Sequence, residues 1–328
     1  MELTTKLPLL EDVHSCPVCH SSNQLPWSDA HDLLTQLSDQ DFIYSTCGEC
    51  DVLYMSRRPV ESEVSFFYRG DYHPYQSETS KTYLTESRLS KLKRWTKKYV
   101  FFLNPNVNIR RQYQKHYRTN GLGLNFLDFG CGAGKQLNYL KKFQWNTVGV
   151  DFSPIAVETA VRNGHQGYLV HDFSQSEIHD FFDLVRMNHV VEHLYHPHEV
   201  LSGVAKKMKR GATLHIAVPN PNGISAKIFQ SNWHGLDCPR HVILYSPKAM
   251  VDLLHANGFS KCVVLHETIT KDFVRSLGYL MAQFGIVDLN KVQNMMNSRL
   301  LSAIFFLPML MASKLGYGDR YHVFCERE

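Results

Sequence analysis

No stretch of this 328-residue sequence is apolar enough to cross a bilayer, no segment repeats, and no tract is of low complexity. The longest apolar run, LLSAIFFLPMLMAS, is interrupted by Pro308 and falls short of the ~18–20 residues that spanning requires. The N-terminus, MELTTKLPLLEDV, has acids where a signal peptide needs a basic start and an apolar core, which predicts a cytoplasmic protein. Peripheral membrane contact through residues 298–317 remains open, as do a buried helix and a dimer interface; the sequence does not set the oligomeric state. A net charge of +4 is too small to name an acidic partner by itself. Secretory context is lacking too, so the eight cysteines favour metal over a disulfide framework.

Four of those cysteines stand as two C-x-x-C pairs, Cys16 with Cys19 and Cys47 with Cys50. Pro17 and Gly48 put each pair on a tight turn. Four thiolates gathered this way suit tetrahedral zinc, and a site with no open position is structural. The 27 intervening residues exceed the usual ribbon spacing and call for a loop; a thioredoxin-like redox pair is the alternative. Residues 1–60 therefore read as a small zinc-ribbon-like module that metal stabilises. Residues 61–120 read as a helical linker or cap. Within it, Ser80 to Arg118 carries eleven Lys/Arg against one acid, Glu86. There Leu89, Leu92, Trp95, Tyr99 and Phe102 recur at roughly helical spacing, which predicts an amphipathic helix with a basic outer face. Such a face serves RNA, anionic lipid or a phosphorylated substrate, or is simply solvated.

From residue 121 to 328 the pattern changes to strands alternating with helices. GLNFLDFG, NTVGVDFS, GYLVHD, FFDLVRMNHV, ATLHIAVPN and SKCVVLHETI read as strands. KQLNYLKKF, PIAVETAVRNG, HEVLSGVAKKMKRG and SPKAMVDLLHANGF read as helices, with a helical insertion at about 271–318. This alternation predicts an α/β fold around a parallel, doubly wound sheet, whose ligands gather at the carboxyl ends of the strands. His189, Glu192 and His193 spell H-x-x-E-H, the ligand pattern of an inverted zinc protease when it lies on a helix. Here a strand has just ended and Pro197 opens the next helix, so the motif falls in a loop at the ligand-binding edge.

Glycines 130, 132 and 134 follow the first strand in LDFGCGAGKQL. A dinucleotide fingerprint would place a small residue at 135, where this chain has lysine. The tighter turn suits a ligand without pyrophosphate, whose carboxylate meets backbone N–H groups at the helix start. Asp151 ends the second strand, placed for two ribose hydroxyls, and Asp172 follows the third, where an adenine amino group would lie. Asp128 either braces the turn or holds the cofactor's amino group.

With LDFGCGAG, VGVDFSP, HDF and NHVVEHLYHP, residues 122 to 328 resemble the class I S-adenosylmethionine-dependent methyltransferases. The resemblance implies a Rossmann-like seven-stranded sheet with an antiparallel last strand, DRYHVFCER, and S-adenosylmethionine beside Phe152, Phe173 and Asn188. The loop HVVEHLYHP is similar to that of the ubiquinone-pathway O-methyltransferases. The four-cysteine module followed by NWHGLDCPRHVILYS resembles the sugar C-methyltransferases and enzymes of surface-polysaccharide pathways. His241 and His193 match two active-site histidines of that family, while Arg240 stands where it has glutamate and Cys238 where it has tyrosine.

Methyl transfer needs an aligned nucleophile and a proton acceptor, which makes His193 and His241 the candidate base and orienter and Glu192 their partner. Arg240 and Asp237 hold either a substrate phosphate or each other. Trp233 is a pocket wall or core, Tyr72 and Tyr75 a lid or linker packing, and Cys238, Cys262 and Cys325 have no evident role. The expected substrate is a small molecule, a sugar or sugar nucleotide, with a lipid-linked or quinone-like phenol as the alternative. A nucleic-acid methyltransferase is the rival of another class. Its amino-methylating members commonly carry an N/D-P-P-Y-type loop where this chain has NHVVEH. A non-catalytic scaffold is the third reading, opposed by the intact glycine loop.

Overall fold

The computed structural model describes residues 7–68 and 106–328. The predicted basic helix, Tyr72 and Tyr75 lie outside the described residues, apart from the last part of the basic segment.

The chain begins with β1 (Leu10–Asp12), β2 (Gln24–Ala30), β3 (Phe42–Cys47) and β4 (Val52–Pro59), antiparallel in the order β1-β4-β3-β2. A 3-10 helix, Glu61–Tyr68, and helix α1 (Asn106–His116) precede the α/β region. There follow β5 (Asn125–Phe129), α2 (Lys135–Lys141), β6 (Asn146–Asp151), α3 (Pro154–Arg162), β7 (Gln166–Leu169), α4 (Val170–Gln175), β8 (Phe182–Asn188), α5 (Pro197–Lys207) and β9 (Met208–Pro219). The chain continues through α6 (Ile224–Phe229), β10 (Ile243–Tyr245), α7 (Pro247–His255) and β11 (Phe259–Glu267). Four insertion helices, α8 (Thr270–Gln283), α9 (Leu289–Met296), α10 (Arg299–Ile304) and α11 (Phe306–Lys314), lead to β12 (Arg320–Arg327).

The large sheet has seven strands in the order β11-β12-β9-β8-β5-β6-β7. β5 pairs in parallel with β6 and β8, β6 with β7, and β8 with β9, while β12 runs antiparallel to β9 and β11. All five residues of β5 are buried, as a central parallel strand covered on both faces requires. Helix starts follow local chemistry. Ser153 caps α3 by accepting from the Ala156 amide, with Pro154 in the first turn, and Ser246 does the same for α7 ahead of Pro247.

The small sheet is not closed within the first sixty residues. Its fifth strand is β10, which pairs antiparallel with β4, Leu244 opposite Leu53. One continuous core joins Cys16, Cys47, Val52 and Tyr54 to Ile243, Tyr245 and the interior of the large sheet.

Three boundaries differ from expectation. The helix predicted through Lys209–Gly211 ends at Lys207, because residues 208–211 join β9. The third strand ends at Leu169 rather than at Asp172, where the chain has already turned into α4. The apolar run of the insertion breaks at Phe305 into α10 and α11, and among the described residues no helix is long and apolar enough to cross a membrane. Cys262 and Cys325, assigned no role from sequence, are joined as a disulfide between β11 and β12.

Candidate active site

The turn after β5 carries Gly130, Gly132 and Gly134, all at positive φ (78°, 49° and 69°), with Gly134 in the left-handed region at the start of α2. At Gly130 the requirement is also steric, since a Cβ there would stand 2.4 Å from Val190 Cγ2. Asp151, at the end of β6, accepts from the Gly132 amide (2.8 Å) and the Ser153 amide (3.0 Å), so it locks the glycine turn to the second strand. Burial raises the Asp151 carboxyl against those backbone donors.

Asp128 is buried and paired with Arg186 of β8 (2.8 Å), which braces the strands beneath the turn. Burial raises the Asp128 carboxyl, and Arg186 opposes it. Phe152 is exposed, and Asn188 is half-buried at the end of β8. Asp172 is exposed in the first turn of α4. Phe173 turns into the core, 2% exposed, with rings of Phe129, Tyr168 and Phe182 around it and the Lys207 ammonium 5.0 Å from its centre.

Beside this turn, the residues after β8 form a 3-10 turn, Val191–His193, preceded by His189 at φ 54°. His189 and His193 therefore do not share an α-helical face, and the protease reading fails. Glu192 points inward and is fully buried. One oxygen, Oε1, contacts His189 Nδ1 (3.0 Å) and faces His241 Nε2 at 3.8 Å, while Oε2 has no hydrogen-bond partner among the described residues. Burial alone would protonate such a carboxyl. The His189 hydrogen bond and the fields of His189, His241 and His193 win, holding it down to about 2.

His193 Nδ1 donates to the Arg240 carbonyl (2.9 Å) and lies 3.0 Å from the Tyr68 hydroxyl, which leaves Nε2 as the lone-pair nitrogen of the neutral ring. Desolvation, followed by the neighbouring His241, lowers the His193 pKa, so the ring is neutral at pH 7. His241 donates through Nδ1 to the Gly235 carbonyl (2.8 Å), and its Nε2 stands 3.8 Å from both Glu192 and Asp237. The two histidine rings are 4.7 Å apart. Ligand atoms of Glu192, His193 and His241 all lie within 4.8 Å of one another, a set that either handles a proton or could hold a divalent cation.

Sequence reasoning missed two supports and left a third open between two roles. Tyr68 meets Phe152 edge-on at 5.1 Å and hydrogen-bonds His193, linking the end of β6 to the histidines. Arg320, held by both oxygens of Asp272, reaches His189 Nε2 at 3.3 Å. Arg240 does not face substrate. It is fully buried between Asp32 of the small module and Asp237 of the histidine loop (3.0 and 2.9 Å). Trp233 is buried in the second core with Phe42, Phe67 and Leu236. The Arg240–Asp237 ion pair was one of two alternatives legible in the sequence; Tyr68, Arg320 and the Asp32 contact were not, because contacts across such separations leave no local pattern.

The four cysteines of the small module also converge, with all four sulfurs within 4.8 Å of one another. Cys16 lies 3.6 Å from Cys50 and Cys19 3.5 Å from Cys47, close to the roughly 3.8 Å edge of a tetrahedron with Zn–S ≈ 2.3 Å. The hydrogen bond from Cys50 pulls the Cys16 thiol down to about 5, favouring the thiolate that a metal ion needs. The donor set is compatible with zinc.

Comparison with known proteins adds three findings. A family model described as a methyltransferase domain matches residues 92–264. The mitochondrial ubiquinone biosynthesis O-methyltransferase of Schizosaccharomyces pombe is 30% identical over 100 residues, 28% of this chain and 36% of that protein. The ubiquinone biosynthesis O-methyltransferase of Glaesserella parasuis is 27% identical over 133 residues, 37% and 55% of the two chains. The chain thus spans roughly a third to a half of the length of the curated relatives it matches. Among solved structures, an S-adenosylmethionine-dependent methyltransferase from Archaeoglobus fulgidus aligns with 73% of this chain and 100% of its own, at 20% identity and a TM-score of 0.45.

Proposed function

The chain belongs to the methyltransferase-domain family, and we propose that it is an S-adenosylmethionine-dependent enzyme that methylates a hydroxyl of a small molecule with His193 as base. The observation that carries this reading is the convergence of a neutral His193, His241 and the buried Glu192 carboxylate next to the glycine turn. Bound S-adenosylmethionine supplies a methyl group on a sulfonium and leaves as a neutral thioether.

In this reading the Gly130–Gly134 turn and the start of α2 receive the cofactor's carboxylate, and Asp151 its ribose hydroxyls, with Phe152 and Asn188 at its edge. His193 Nε2 takes the acceptor's proton as its oxygen bonds to the methyl carbon. The imidazolium so formed lies near the Glu192 carboxylate, which stays charged and stabilises it. The Arg240 carbonyl fixes the His193 tautomer, and His241 positions Glu192. The four cysteines hold structural zinc.

A ring-bearing phenol, lipid-linked or quinone-like, is the favoured acceptor, because the Tyr68–Phe152 edge beside His193 offers a planar ring an apolar wall. The names of the curated relatives support the same class. A sugar or sugar nucleotide is the second reading, supported by the four-cysteine module. Calorimetry with S-adenosylmethionine and its demethylated product, with Asp151→Ala as control, tests the cofactor half, and radiolabel transfer to catechol-type and sugar-nucleotide acceptors tests the rest. Cofactor binding without transfer to either class, while a His193 variant behaves like the parent, overturns the proposal.

A further inference from the structure

The insertion between β11 and β12 presents an apolar face that none of the described residues covers. Leu300, Ile304, Leu307, Met311 and Leu315 are each 56–70% exposed. Leu300 and Ile304 stand one turn apart on α10, and Leu307 and Met311 one turn apart on α11, with Leu315 at its C-terminal end. On the opposite side Met309, Leu310, Ala312 and Ser313 are at most 5% exposed, and Ser313 Oγ donates to the Glu267 carbonyl at the end of β11. Apolar on both sides, α11 has the composition of a covered helix, yet the described residues cover only its inner side.

Charge identifies the cover. Between Asp288 and Asp319 the sequence holds Lys291, Arg299 and Lys314 and no acid. All three cations are exposed, and Arg299 and Lys314 stand at the two ends of the stripe. Two copies packed through this face would bring these cations together with no carboxylate from the segment to neutralise them. An anionic lipid surface meets both features: acyl chains take the leucine stripe, and headgroup phosphates take Arg299 and Lys314. The segment spans only about 24 Å at 1.5 Å per residue and suits lying in the interface rather than crossing it. The stripe leads directly into the candidate active site. β12 begins five residues after Leu315, and its first residue, Arg320, contacts His189 and is gripped by Asp272 of α8.

We infer that α10 and α11 dock the protein on an anionic phospholipid bilayer, with the site's rim turned toward the lipid so that an acceptor is taken from the membrane. The docking stands on the surface alone, while delivery of the acceptor rests on the phenol-methylation reading.

The test is co-sedimentation of the full chain with vesicles of phosphatidylglycerol and phosphatidylcholine, against phosphatidylcholine alone, with Leu307→Glu/Met311→Glu and Arg299→Gln/Lys314→Gln variants. Cofactor calorimetry on each variant confirms an intact fold. The expected result is partition onto the anionic vesicles that raised salt weakens, reduced at least tenfold by the glutamate pair and several-fold by the glutamine pair. No partition onto anionic vesicles, partition unchanged by both variants, or a dimer that the glutamate pair dissolves would each overturn the docking. Normal docking without methylation of any membrane-embedded phenol overturns delivery and leaves the docking standing.

Discussion

At the scale of the residue, the site is a question of who holds the proton. Desolvation and His241 keep His193 below the ordinary imidazole pKa of about 6.5, so the base stays competent to lower pH than a free imidazole would. The acid limb of the rate profile is therefore expected below pH ~6.5. Glu192 pulls the other way, favouring protonated His193. Glu192→Gln should accordingly move the acid limb further down while lowering the rate, because the developing imidazolium loses its counter-charge. His193→Gln should reduce kcat by ~10²–10⁴-fold with cofactor affinity unchanged by calorimetry. His193 and Glu192 were legible as a loop motif after a strand. Tyr68 was not, for it approaches His193 across 125 positions of sequence.

Elements carry the next tier. The glycine turn could be read from its spacing because only glycine tolerates three positive φ values so close together. Gly130→Ala should weaken S-adenosylmethionine binding strongly, since its methyl would collide with Val190. Calorimetry beside circular dichroism would separate this from unfolding. The loop between α6 and α7 is different. Its cation, Arg240, reads in sequence as either a phosphate ligand or a partner of Asp237; it takes Asp237 and also Asp32, supplied by a loop 208 residues earlier. Arg240→Met would leave Asp32 and Asp237 buried without a counter-ion, at a cost of about 3–5 kcal/mol in chemical denaturation. The predicted third strand overran for a simpler reason. The apolar run from Tyr168 to Val170 suits a strand and a short buried helix equally, and tertiary packing of Phe173 decides.

For the whole molecule, the small module and the methyltransferase sheet share one core, so chelation should not unfold the module alone. Stripping the zinc proposed for the four cysteines is expected to lower the melting temperature of the entire protein in a single transition, followed by calorimetry, and to weaken cofactor binding with it. Acid should act globally as well. Burial holds His116 at about 4 and His234 at about 3, so between pH ~6.5 and those values the unfolded chain binds protons that the folded one refuses. Stability should therefore fall as pH drops from about 6.5 toward 4, measurable as a declining denaturation midpoint. Alternation of strands and helices made the large sheet legible. The joining of β4 to β10 was not, because three residues of a strand carry no mark of the partner they choose.

That joining also orders events during synthesis. β1 covers Arg57–Pro59 of one edge of β4, but the Val52–Tyr54 part receives β10 only after roughly 190 further residues have been made, a long interval for an unpaired strand edge. A part of the chain made early is finished late, so a nascent chain stalled before Tyr245 exposes a sticky edge that β10 covers in the fold.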